Sequence, residues 1–196
     1  MAFPYVSLPS TSAFNEPFTK SLLEKWDMRK FSKVCVFRYT KYYHRLAGQE
    51  LLLDLFNDPS SQEHLQQLAQ SLWGEGAGGG GGPGAMLSHP HGPVTEPDQG
   101  AEPLLVRGPG GELDKIAPYL DTTKKLYKEL VTVQRKSGDS DAIEIVSTVF
   151  SIKSFKTESG TLALFPRPSR NSFCYVTIDP MRRLVKMWYH AHLPFW

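Results

Sequence analysis

Thirteen of the chain's 16 glycines and six of its 15 prolines fall between Gly74 and Glu112. A stretch so rich in helix and strand breakers, with no apolar periodicity, cannot bury enough surface to offset the entropy of ordering it. It reads as a long disordered insert at 74–112. The rest of the 196 residues is the size of one domain. We therefore expect a single folded unit over 14–196 that the insert interrupts, with 1–13 as a flexible N-terminus. The insert is also acidic. Arg107 stands there against Glu75, Glu96, Asp98, Glu102 and Glu112, whereas residues 113–196 hold 13 basic and 8 acidic side chains. Opposite charges would let the insert lie transiently over the second half of the chain.

Residues 14–73 read as mainly helical. Asn15 is placed to cap a helix with Glu16 and Pro17 in its first turn and Leu22, Leu23 and Trp26 on its apolar stripe. The segment Phe31 to Phe56 has strand-like residues in Val34, Cys35, Val36, Phe37 and Tyr39. Phe31, Cys35, Tyr39, Tyr42, Leu46 and Leu53 nevertheless recur at helical spacing without internal turn signals, so the reading there is helix. Asn57-Asp58-Pro59-Ser60 ends it. Ser60 followed by Glu63 forms a capping-box pattern for a second helix, with Leu65, Leu68, Leu72 and Trp73 on one face.

Beyond the insert, Leu113 to Lys136 carries another helical repeat, interrupted at Pro118 and stopped by Gly138. The period then changes to two. Ala142 to Lys156 alternates and is β-branched, Ser159-Gly160 turns the chain, and Thr161 to Phe165 runs back. Phe173 to Ile178 and Leu184 to His192 flank the turn at Asp179 to Arg183. The expectation is an α+β fold in which N-terminal helices and one central helix pack on a C-terminal antiparallel β-meander of about four strands. This order of helices, then a long sheet with an aromatic-rich last strand, resembles that of NTF2-like cone folds. The resemblance implies a cone interior lined from the meander and the long helices, able to hold a small molecule or an active site.

Two cysteines cannot staple a secreted framework. Cys35 and Cys174 each lie in an apolar run and read as buried, reduced thiols. No run reaches the roughly 18 apolar residues of a membrane span, and the first 20 residues lack the order of a signal peptide, so a cytoplasmic or nuclear location without a membrane is expected. The net charge of +2 is too small for phosphate attraction to govern the whole molecule.

Motifs for catalysis are missing: the sequence has no G-x-S-x-G, no P-loop, no G-x-G-x-x-G after a strand and no H-E-x-x-H. His89 and His91, and His190 and His192, are His-x-His pairs. Two ligands do not complete a metal site, and no metal or cofactor is assigned. The segment Met28 to Arg45 is the most suggestive. Arg29, Lys30, Lys33, Arg38, Lys41 and Arg45 are interleaved there with Phe31, Phe37, Tyr39, Tyr42 and Tyr43, and no acid intervenes. Phosphate neutralisation with base stacking needs that mixture. A helix with a buried aromatic stripe and a solvated basic face needs it equally. Arg167, Arg170, Arg182, Arg183 and Lys186 form a second basic group at the loops of the meander. The nucleic-acid candidates are Arg29, Lys33, Arg38, Lys41, Tyr42, Arg45, Arg182 and Arg183.

Leu52-Leu53-Asp54-Leu55-Phe56 is apolar enough to read as core. Trp188, Phe195 and Trp196 concentrate large aromatics at the end of the chain, where they must either dock or serve an interface. The functional expectation is a non-enzymatic protein-binding subunit or adaptor of an intracellular complex. Two alternatives stand beside it: a nucleic-acid-binding module using 28–45, and a small-molecule-binding or enzymatic domain of the NTF2-like kind.

Overall fold

The computed structural model describes residues 5–9, 12–73, 96–99, 117–136, 142–157 and 160–192. Helices and an antiparallel sheet make up the fold, in the α+β class expected. The strands are β1 (Tyr5–Leu8), β2 (Ser32–Tyr39), β3 (Glu96–Gln99), β4 (Val133–Arg135), β5 (Ile143–Ile145), β6 (Thr148–Thr157), β7 (Gly160–Ala163), β8 (Phe173–Asp179) and β9 (Leu184–His190). The helices are α1 (Ser12–Asn15), α2 (Pro17–Lys25), α3 (Gly48–Asn57), α4 (Pro59–Trp73) and α5 (Ala117–Leu130), with a single 3-10 turn at Arg45–Ala47.

The main sheet has seven strands in the order β1-β2-β9-β8-β6-β3, with β7 also on β6. β6, β7, β8 and β9 are the four antiparallel strands expected, but not in simple meander order: β8 pairs with β6, as β7 does, and then with β9. β6 is long enough to serve several neighbours: Thr148 to Ser151 pair with β8, and Ser154 to Thr157 pair with β7. β3 takes the other edge of β6. Pro97 is tolerated there because an edge strand has backbone groups without a ladder partner. β4 and β5 stand apart as a two-stranded ladder, Val133 opposite Ile145.

Both faces of the sheet are covered by helices. Alternate residues of β2, β8 and β9 (Cys35, Phe37, Tyr39; Cys174, Val176, Ile178; Val185, Met187, Tyr189) meet Leu51, Leu52, Leu55, Phe56 and Leu65 of α3 and α4. The intervening residues Val34, Phe173, Tyr175 and Trp188 meet Phe14, Leu23, Trp26, Met28 and Leu126 on the α1, α2 and α5 side. The run at 52–56 is core, as its composition implied, and Cys35 and Cys174 are buried free thiols.

Several local expectations fail, each for an identifiable reason. Residues 32–39 are strand, not helix. A strand buried on both faces loses the polar-apolar alternation that betrays a strand, and its continuous apolar run supplies accidental i,i+4 matches. Residues 5–8, assigned to the flexible N-terminus, pair with β2 from Tyr5↔Tyr39 to Leu8↔Val36. Asn15 ends α1 instead of capping α2, whose N-cap is Glu16 and has no side-chain cap bond. The cap of α4 sits two residues before Ser60: Asp58 Oδ2 accepts from Ser61 N at 2.9 Å and Ser60 Oγ at 2.7 Å. The helix placed over 113–136 stops at Leu130, and the run from Ala142 to Lys156 breaks at Val146 and Ser147 into β5 and β6. α2 ends without glycine. Asp27 adopts φ 55°, Met28 N donates to Leu23 O at 2.8 Å, and Asp27 N donates to Glu24 O at 3.0 Å, a Schellman closure. Of the stretch 74–112, the strand Glu96–Gln99 joins the sheet and the remainder lies outside the described residues.

Candidate functional site

The basic-aromatic segment folds into β2 and the loop after it, and this splits its residues. Phe37 and Tyr39 are 1% exposed in the core, and Tyr43 is buried beside Tyr39 with ring centroids 6.1 Å apart. Tyr42 alone of the five aromatics is well exposed, at 81%. Arg29 sits before β2, its guanidinium 4.6 Å from the centroid of the Phe14 ring and 3.2 Å from Asn15 Oδ1. Arg38 lies at the far end, opposite Leu184, where Arg183 Nη1 donates to Thr40 O at 3.0 Å. Arg38, Arg182 and Arg183 thus gather at one end, with Lys41 and Arg45 in the chain that follows, while Arg29 and Lys33 remain at the other. A stacking platform needs exposed rings between its cations, and the fold has used those rings as core.

Lys186, assigned above to a loop cluster, is 5% exposed. Its Nζ donates to Glu129 O while Thr177 Oγ1 donates to Leu130 O at 2.9 Å, so two side chains of the sheet satisfy the orphan carbonyls at the C-terminus of α5. Burial pushes the Lys186 ammonium below its usual range, and the charge of Asp179 acts in the opposite sense. Asp179 is 1% exposed; Oδ1 accepts from Met181 N at 2.9 Å and Arg182 N at 3.0 Å, and Oδ2 accepts from Thr132 Oγ1 at 2.5 Å. These charges hold the fold together. His190, half of a suggested ligand pair, is likewise buried: its Nδ1 lies 2.9 Å from Ser32 Oγ, and burial first, then His192, lowers its pKa to about 4.

Trp188 is also consumed by the fold. It packs edge-on to Phe173 at 5.0 Å and to Phe14 at 6.3 Å. Phe195 and Trp196 lie outside the described residues, as do His89 and His91.

Two features were not read from the sequence. The first is a slot of about 300 Å³ beside the first half of β2, lined by Leu8 and Pro9, by Phe14 and Asn15 of α1, by His64 and Leu68 of α4, and by Arg29 and Ser32 to Cys35. β1 pairs with Val36 to Tyr39 and stops at Leu8, before Pro9. Ser32 to Cys35 therefore have β9 on one side and the slot on the other. The N–H and C=O of odd-numbered residues in β2 point to β9, as Tyr39 N to Arg183 O and Ala191 N to Phe31 O establish. Those of even-numbered residues point the other way. Arg38 and Val36 meet β1, and Val34 faces the slot with no backbone partner among the described residues.

The second feature is a set of exposed apolar side chains on α5 and on the β4–β5 ladder that follows it. Leu120 and Tyr127, seven residues apart on one stripe of α5, are both about half exposed, and Val133, Ile143 and Ile145 are 51%, 71% and 46% exposed. The sequence reading had placed Val133 on a helix and the two isoleucines in the meander. A hairpin signal was present in the polar run Ser137 to Asp141 between two β-branched segments.

A model of the family "Cilia- and flagella-associated protein 300" matches residues 1–77 and 110–190, well over half of the chain. The chain belongs to this family. The gap between the matched blocks falls inside the glycine-rich stretch at 74–112 that composition marks as an insert. A Chlamydomonas reinhardtii protein described as "Cilia- and flagella-associated protein 300" is 35% identical over an alignment of 256 residues, which covers 100% of this chain and 99% of the relative. No solved structure matches the chain. The likeness to NTF2-like cones rested on helices preceding the sheet, an order that β1 and β2 break, and both faces of the sheet are packed with helices.

Proposed function

We propose that the chain is a non-catalytic protein-binding subunit of an assembly in cilia or flagella, acting as an adaptor that joins other subunits. The observation that carries this reading is the set of exposed apolar side chains Leu120 and Tyr127 on α5 and Val133, Ile143 and Ile145 on the β4–β5 ladder that follows it. The chain closes both faces of its sheet with helices yet leaves these side chains to solvent, and exposed apolar groups concentrated on adjoining elements mark a contact surface. The family name ties its members to cilia and flagella, which narrows the expected location to the cytoplasmic, ciliary side. No helix among the described residues is long and apolar enough to cross a membrane. The charges that a nucleic-acid module would use are divided between the two ends of β2 or, in Lys186, buried.

The test is to express the tagged chain and its Ile143→Glu/Ile145→Glu variant in a flagellated cell and compare their sedimentation. The wild-type chain sediments well above its own mass of 22.0 kDa and enters the flagellar-assembly fraction. The variant, with its thermal midpoint unchanged because both positions are exposed, returns to the monomer fraction. A wild-type chain that sediments alone, or a variant that keeps its complex, contradicts the reading.

A further inference from the structure

Two connections meet at the end of the sheet where β2 and β8 finish. One is residues 40–47, after β2, and the other is residues 180–183, between β8 and β9. Hydrogen bonds tie them together. Tyr39 N donates to Arg183 O and Arg183 Nη1 donates to Thr40 O, both at 3.0 Å, while Asp179 Oδ1 accepts from the amides of Met181 and Arg182. The Tyr43 hydroxyl lies 3.3 Å from Arg45 O and 3.4 Å from Thr148 Oγ1, which fastens the rest of the first connection to β6. Loops held at this many points present their exposed side chains in a preset arrangement, so less freedom is lost when something binds them.

What they present is arginine and apolar groups. Arg45, Arg182 and Arg183 are exposed, as is Arg38 of β2 beside them, and neither connection contains an acid. The Asp179 carboxylate is buried and already taken up by the turn amides and by Thr132 Oγ1. On the adjoining α3 and β5 the exposed acids are Glu50 and Glu144, so four exposed arginines leave this end positive. Among the arginines Leu46 is 90% exposed, Tyr42 81% and Met181 64%. Leu46 and Tyr42 are the two most exposed large apolar side chains among the described residues.

We infer that this end of the sheet binds an acidic segment of a partner protein, whose carboxylates pair with the four arginines and whose apolar side chains cover Leu46, Tyr42 and Met181. This rests on the protein-binding reading and adds a second contact made of other residues. Charge sets the sign of the partner. Arginine narrows its chemistry, because a planar guanidinium held in place can fork onto a carboxylate with two parallel bonds, where lysine offers only a point charge. The apolar neighbours then favour protein over nucleic acid. Bases stack on rings, and Leu46 and Met181 have no ring to offer, whereas apolar side chains of a protein segment can remove both from water.

The experiment titrates the full chain into three labelled, N-acetylated twelve-residue probes and reads fluorescence anisotropy. The probes repeat Glu-Glu-Leu, Glu-Glu-Ser and Lys-Lys-Leu. The Glu-Glu-Leu probe binds, the serine probe binds at least about fivefold more weakly, and the lysine probe does not bind. Arg45→Glu/Arg182→Glu, checked for an unchanged thermal midpoint, lowers affinity for the Glu-Glu-Leu probe by at least about tenfold. Lys20→Glu/Lys25→Glu makes the same change of charge on α2, which leads into the opposite end of β2, and lowers it by less than about twofold. Leu46→Ser weakens binding of the Glu-Glu-Leu probe and leaves that of the serine probe unchanged. Equal losses from the two double variants, equal affinity for the leucine and serine probes, binding of the lysine probe, or no saturable binding at millimolar probe would each overturn the inference. So would displacement of the Glu-Glu-Leu probe by a single-stranded oligothymidylate or by phosphatidylserine vesicles at equal charge concentration. The sedimentation of the Ile143→Glu/Ile145→Glu variant does not use these residues, so the two proposals fail separately.

Discussion

On the α3–α4 side the sheet meets Leu51, Leu52 and Leu55, all 0% exposed, and the contact is mostly apolar, with the Tyr5 hydroxyl donating to Leu51 O at 2.9 Å. On the opposite side the same strands present Trp188 and Tyr175 at one end and Lys186, Thr177 and Asp179 at the other. The first face is held by area removed from water and tolerates exchange among similar shapes. The second is held by particular bonds between the sheet and the end of α5, and a group left without its partner there bears the full desolvation cost. One sheet is closed by two kinds of chemistry, and each kind breaks in its own way.

The largest effect should follow from breaking the polar face. Asp179→Ala removes acceptors for Met181 N, Arg182 N and Thr132 Oγ1 and leaves Lys186 buried without the nearby negative charge, at a cost of about 4 kcal/mol. Asp179→Asn keeps an oxygen for the two turn amides and recovers about half of that loss. On the apolar face Leu52→Ala costs about 3 kcal/mol by cavity formation, and Leu52→Met under about 1.5. Urea melts of the four variants check the contrast. If asparagine recovers nothing at 179, the specific bonds are not what closes that face.

Acid sharpens the same comparison, because only the polar face carries a fully buried titrating imidazole in His190. Its pKa of about 4 in the folded chain lies below the ordinary 6.5. Above 6.5 it is neutral in both states and has no effect. As pH falls from 6.5 toward 4 the unfolded chain takes up a proton that the folded one refuses, so stability declines, by about 3 kcal/mol once both pKa values are passed. The half-buried His64, whose pKa burial also lowers, adds in the same direction. His190→Asn should flatten most of the decline between pH 7 and about pH 5 in denaturant titrations. An unchanged slope in that variant would remove His190 from the account.

A smaller effect probes close packing on the apolar face. A Cβ on Gly48, at the start of α3, would lie 2.6 Å from Phe150 Cζ and 3.2 Å from Tyr43 Oη. Alanine ordinarily favours a helix over glycine by about 1 kcal/mol. Here the ring and hydroxyl must move within a packed core, so Gly48→Ala should destabilise by about 1 to 2 kcal/mol in a thermal melt. The double variant with Phe150→Leu should recover part of that loss. A stabilised single variant would mean that this face yields more readily than its packing implies.

The two faces also differed in how far the sequence revealed them. The strands β6 to β9 were legible because they keep a period of two between clear turns, and the run at 52–56 was legible because a continuous apolar segment has few other uses. β2 was not, since burial on both faces erased its alternation. Lys186 was misplaced because sequence records a charge but not the helix end above it. The candidate site was legible in part. Met28 to Arg45 was singled out for its cations and rings, yet which rings point inward depends on β9 and α3, more than a hundred residues apart in the chain. The slot depends on where β1 stops relative to β2, a matter of register that no local pattern encodes. The exposed isoleucines of β5 were hidden by the assumption that alternating β-branched residues are half buried.

The central claim is that the sheet is closed by helices on both faces, while the edge along the first half of β2 has no strand partner among the described residues. Amide hydrogen exchange on the free chain, resolved residue by residue, tests it most directly. Val36 and Arg38, paired with β1, and Lys33 and Cys35, paired with β9, should exchange slowly. Val34, between them in the chain and facing the slot, should exchange faster by orders of magnitude. If Val34 exchanges as slowly as Val36, the edge is closed and the account is contradicted.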